Sequence, residues 1–193
     1  MNLESGGTPL SVRTEEPLVD HYRLDVITDS VRDAIQHAGG LMFDRARAGW
    51  RVVVVTDDAA HPRALAILGV QTQAPRDADE QQHAQGREHR TTVSRLGGFG
   101  PDREPNTGAR LLRWDHPGPG ASTCGLQPLA HPLSAAARAF KAHALHSAGL
   151  DVGPDADVLQ CEHFWADSAA DTEAFANPVG SRSSTVVGGW PGG

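Results

Sequence analysis

The sequence predicts an α/β fold: a single small domain with a mainly parallel sheet flanked by helices, a long polar loop and disordered termini. Three observations predict it. Residues 52–55 are four successive valines, an apolar run without alternation, which marks a strand buried on both faces as in parallel sheets. Before that run, Val31, Ile35, Ala38, Met42 and Ala46 recur at helical spacing. The order strand, helix, strand, helix, strand then fills residues 24–73, which favours right-handed crossovers in a layered architecture.

Taken in order, residues 1–20 lack periodicity and contain Gly6, Gly7, Pro9 and Pro17, so they read as a flexible arm. Residues 24–27 form a short strand. Ser30 precedes Val31 and stands three residues before Asp33, a variant of the capping box, so a helix is expected over residues 31–48. Gly39 and Gly40 weaken that helix by about 1 kcal/mol each relative to Ala, and paired glycines let another part of the chain approach closely. Gly49 ends it. The valine strand follows over residues 51–56. Asp57 or Asp58 is placed to cap a second helix through about Leu68, with Pro62 in its first turn and Gly69 at its end. Val70 begins a further strand through Gln73.

The pattern is then lost over residues 74–107, which are rich in Gln, Asp, Arg and His and then in Gly. This reads as a long loop, a length that is either functional or disordered. Residues 109–114 resume as a strand, and 117–128 form another loop. Pro132 opens a helix through Ser147, with Leu133, Ala137, Phe140, Ala144 and Leu145 on one side. Residues 157–161 are expected as the last strand and 166–176 as a short acidic helix. The chain thus divides into the arm 1–20, an α/β domain over 21–177 and a disordered Gly/Ser tail over 178–193.

Charge narrows the partners. The formal net charge is −7, and no Lys or Arg lies between Lys141 and Arg182, a stretch that holds seven carboxylates. Such a surface lacks the clustered cations that displace counterions from phosphate, so neither nucleic acid nor an anionic membrane is expected as a partner. The two cysteines, Cys124 and Cys161, are too few for a disulfide framework. No basic-then-apolar segment opens the chain and no run approaches the ~20 apolar residues of a membrane span, so the expected compartment is the cytoplasm.

The candidate ligand-binding residues are Asp57, Asp58 and His61, with Arg95 and Arg103. Ligands of open α/β sheets bind beyond the carboxyl ends of parallel strands. Asp57 stands at such an end, where a carboxylate accepts hydrogen bonds from ribose hydroxyls or holds Mg²⁺. Arg95 and Arg103 flank a glycine-rich loop, Gly97-Gly98-Phe99-Gly100, whose backbone N–H groups suit a phosphate. The strand and helix over residues 51–68 resemble locally the opening of a response-regulator receiver domain. That pattern also requires an Asp after a third apolar strand and a Lys after a later one. Neither is present, so the family is not assigned.

Other chemistry finds no pattern. Gly39 and Gly40 fall inside a helix, so they make no dinucleotide fingerprint, and P-loop and G-x-S-x-G motifs are absent. The 10 His residues show no metal-ligand spacing, so no metal site is expected. With no catalytic motif, the sequence favours a non-catalytic interaction or regulatory role with a protein partner. The alternative is a small-molecule, nucleotide or Mg-binding α/β domain, an enzyme if it transforms that ligand, with its site at the end of strand 51–56. Catalytic residues and cofactor stay unassigned.

Overall fold

A computed structural model describes residues 21–75, 88–96, 110–115, 125–153 and 156–166. β1 (His21–Ile27) leads into α1 (Val31–Arg47), whose first turn is closed by Ser30: its Oγ accepts the Asp33 N–H at 3.3 Å. Gly49 takes φ +86° beyond the helix end, a left-handed turn that favours glycine. β2 (Arg51–Val55) follows, then α2 (Pro62–Leu68) and β3 (Gln71–Gln73). All four valines of β2 are buried, and β2 lies between β1 and β3, parallel to both. The run of valines without alternation therefore reads as expected.

β4 (Glu88–Arg95), β5 (Arg110–Trp114), β6 (Gln127–Pro132), α3 (Ala135–Ser147) and β7 (Cys161–Ala166) complete the described chain. The seven-stranded sheet runs β3-β2-β1-β4-β5-β7-β6. Its first five strands are parallel, and β7 is antiparallel to both β5 and β6. The chain builds outward from β1 to β3, then returns to the other side of β1 for β4. The order reverses between β1 and β4, which is where open α/β sheets place their ligands. Among the described residues, α1, α2 and α3 pack against one another and cover Leu24, Val26, Val54, Val93 and Leu112 of the sheet. Fully burying one such aliphatic side chain stabilises by about 1.5–3 kcal/mol.

Several expectations are corrected. The stretch 74–107 is not one loop, because it contains β4. That strand was hidden because Val93 is its only aliphatic residue. Its polar residues are accommodated on the sheet instead: Asp25 of β1 pairs with Arg23 at 2.7 Å and with Arg90 at 2.9 Å, and Thr91 and Thr92 are buried. Pro132 ends the edge strand β6 and does not open a helix. α3 starts behind Ser134, whose Oγ accepts the Ala137 N–H at 3.0 Å. Residues 157–159 form a 3₁₀ turn, and the last strand begins only at Cys161. Ala166 ends that strand; the rest of the expected acidic helix, the arm 1–20 and the tail 178–193 lie outside the described residues. Among the described residues no helix is long and apolar enough to cross a membrane.

Candidate functional site

The order reversal puts the end of β1 and the start of α1 beside the ends of β4 and β5. Three short-range devices shape the turn out of β1. Thr28 Oγ1 accepts the Ser30 N–H at 3.0 Å. Ser30 caps the helix. Asp58, arriving from the end of β2, accepts the Val31 N–H through Oδ2 at 2.9 Å and the Ala60 N–H through Oδ1 at 2.8 Å. Those backbone donors, Val31 first, hold the Asp58 carboxyl below its ordinary range.

Asp33 and His37 lie one helical turn apart on α1 and share a face. His37 Nε2 faces Asp33 Oδ1 at 3.4 Å. Trp114, fully buried at the end of β5, donates its indole N–H to Asp33 Oδ2 at 3.2 Å. The His37 ring lies parallel to that indole, 6° between planes and 6.4 Å between centroids. The carboxylate is therefore held from one side by Trp114 and orients the imidazole on the other. A proton on Nε2, toward Asp33, leaves the Nδ1 lone pair free. The side chains of His37 and Asp33 keep 34% and 24% of their surface exposed, so the pair is both anchored and reachable.

Arg95, the last residue of β4, donates Nε to Asp115 Oδ2 at 2.9 Å. Asp115 follows β5 with φ +88°, a left-handed conformation, and its carbonyl accepts the Trp165 indole N–H at 3.2 Å. The Asp115 hydrogen bond, then the fields of Asp33 and Asp29, raise the Arg95 guanidinium pKa further above its usual value. Asp29, Asp33, Arg95 and Asp115 thus share one electrostatic neighbourhood at the strand-order reversal.

The structure separates the residues singled out in the sequence. Asp57 is exposed and makes no hydrogen bond to another described residue. Asp58 caps α1, whereas the sequence suggested α2. His61 takes the N-cap position of α2 in a left-handed conformation, φ +60°, and its side chain makes no capping bond. Arg95 belongs to β4, across β1 from β2, and its partner is Asp115. Arg103 and Gly97–Gly100 lie outside the described residues. Sequence reasoning did not single out His37 or Trp114 as functional residues. The available signal was Asp33 and His37 spaced by four at the start of the helix that follows the first parallel strand. Among the described residues no group of three or more His, Cys, Asp or Glu is placed to hold a metal ion.

No protein-family model matches the chain, and no curated protein does. Solved structures with the same fold are found. One is the crystal structure of a triple mutant of a deacetylase of the teicoplanin biosynthetic pathway, with TM-score 0.53, 15% identity, and coverage of 75% of this chain and 97% of that one. Another is A40926 pseudoaglycone deacetylase Dbv21, with TM-score 0.52, 16% identity, and coverage of 76% and 97%. At this identity the likeness is one of fold. It corrects the expectation of a non-catalytic interaction or regulatory protein, which rested on the absence of catalytic motifs. Deacetylases share this fold at 13–16% identity.

Proposed function

We propose that the protein is an enzyme that binds a small molecule at the carboxyl ends of its parallel strands and removes an acetyl group from it. The observation that carries this reading is the Asp33–His37 pair, an imidazole oriented by an anchored carboxylate at the strand-order reversal. The fold neighbours are deacetylases, which supports the reaction class.

In this reading His37 Nδ1 takes a proton from water as the water oxygen bonds to the acetyl carbon. The carbonyl oxygen becomes an oxyanion, and Arg95 is the cation assigned to it. Collapse breaks the bond from the acetyl carbon to the amine or alcohol. His37 returns its proton to that leaving group, and the acetic acid left by collapse departs as acetate after losing its remaining proton to solvent. Asp33 stabilises the imidazolium formed in between without itself being protonated. The expected setting is the cytoplasm, with a small molecule as partner.

The test is acetate release by the full chain from a panel of N-acetylated and O-acetylated small molecules, followed by proton NMR. Turnover of one class, reduced in Asp33→Asn, supports the reading. A panel left untouched by enzyme equimolar with each substrate would remove it.

A further inference from the structure

Arg95 of β4 and Trp114 of β5 are register partners on adjacent parallel strands. In-register neighbours point to the same face of a sheet. Trp114 lies in the core beneath the helices, where its indole holds Asp33. Arg95 therefore leaves β4 on the face that carries the Asp33–His37 pair. Asp115 comes one residue after Trp114. In an extended strand its side chain would turn to the opposite face, away from Arg95. Its φ of +88° breaks that alternation, and Oδ2 reaches Arg95 Nε at 2.9 Å.

A non-glycine residue keeps such a backbone conformation only where its surroundings fix it. Here the turn is tied from both neighbouring strands. Antiparallel β7 brings Trp165 into register with Arg113, and the Trp165 indole N–H donates to the Asp115 carbonyl at 3.2 Å. From the β4 side, the Leu96 N–H donates to the Trp114 carbonyl at 2.9 Å and joins the strand ends that carry Arg95 and Asp115.

An exposed ion pair by itself contributes little to stability, and the side chains of Arg95 and Asp115 are 50% and 37% exposed. What this pair supplies is direction. Asp115 takes only Nε, and the terminal nitrogens of Arg95 make no hydrogen bond to another described residue. A guanidinium is a rigid planar fork, so a hold at Nε also orients its terminal N–H donors. We propose that Asp115 is a positioning residue: through its left-handed turn, tied by Trp165, it holds Arg95 with the terminal N–H groups turned to the developing oxyanion. The oxyanion rests on the deacetylase reading; the hold on Arg95 rests on the geometry alone.

The test therefore has two readouts on the full chain. The first is the ¹H–¹⁵Nε resonance of Arg95 at mildly acidic pH, assigned by its loss in Arg95→Lys. Its exchange with water should be slowed in wild type and in Asp115→Asn, which keeps an acceptor oxygen and tolerates the turn. In Asp115→Gly, which relieves the backbone and removes the carboxylate, that protection should be lost. Trp165→Phe, which removes the indole N–H, should act in the same direction. The second readout is acetate release. Asp115→Gly should lower kcat about 10²-fold with KM little changed, as a misplaced group does, and Asp115→Asn should recover most of the loss. Equal protection of the Nε–H in wild type and Asp115→Gly overturns the proposal, as does an Asp115→Gly protein that turns over as fast as wild type. If no protein releases acetate, the deacetylase reading falls, and the Nε–H comparison alone decides whether Asp115 holds Arg95.

Discussion

Glu162 of β7 reaches into the middle of α1 and takes the Gly40 N–H on Oε1 at 2.7 Å; its other oxygen takes the Leu41 N–H at 2.8 Å. Within a helix such groups ordinarily bond a carbonyl four residues back. Here a buried carboxylate claims them. Its charge is met by Lys141, the only lysine of the chain, whose Nζ lies 2.6 Å from Oε1 and 2.7 Å from the Val158 carbonyl. Gly40 is required at this point because a Cβ there would overlap the Leu133 side chain.

Lys141→Met should therefore cost about 3–5 kcal/mol, because it leaves the Glu162 charge buried without its counter-ion. Gly40→Ala should cost about 1–3 kcal/mol through overpacking against Leu133. Urea unfolding followed by circular dichroism measures both. A Lys141→Met protein as stable as wild type would show that the pair contributes nothing.

The two neighbouring acids after β2 should separate in stability. Asp58→Ala removes the acceptor for the Val31 and Ala60 N–H groups and should cost about 1 kcal/mol. Asp57→Ala should stay within about 0.5 kcal/mol of wild type, as exposed positions do. The Asp58 carboxyl is held below its ordinary 3.8, so its contribution is present above that pH and is lost as pH falls below it. Acid unfolding below pH 3.8 should accordingly be less steep in Asp58→Asn than in wild type.

His131 gives a second pH signature. Burial lowers its pKa from 6.5, and this outweighs the opposing pull of the carboxylates of Glu162 and Asp44, the latter 3.2 Å from its Nε2. A base with a lowered folded pKa stabilises the fold above its unfolded value and loses that contribution as pH falls through the folded one. Wild-type stability should drop as the pH is lowered from 6.5, and His131→Gln should show less of this drop. Thermal melts across that range decide it, and parallel curves would count against the assignment.

The elements that the sequence reveals are those whose side chains match their surroundings. The valines of β2, the apolar stripe of α1 and the caps at Ser30 and Gly49 each follow from a local rule. β4 escapes because its burial is made tolerable from another strand, through Asp25 pairing with Arg90. β6 escapes because Pro128 and Pro132 read as loop punctuation, although both sit on an edge strand where a missing N–H costs little, and the last strand is expected four residues too early because residues 157–159 form a 3₁₀ turn before β7. The candidate site was legible in part. Arg95 was singled out from its place beside a glycine-rich stretch. Asp33 read only as a capping partner, and the role of His37 depends on Trp114, which is 77 residues further on (114 − 37) and arrives through the sheet.

The most direct test of the account is the rate of acetate release by wild type and His37→Gln on the same acetylated substrate. Circular dichroism should confirm that the variant keeps the fold. The account predicts release by wild type and a fall in kcat of about 10²–10⁴-fold in His37→Gln, the usual contribution of a positioned general base. Equal rates in the two proteins would contradict it.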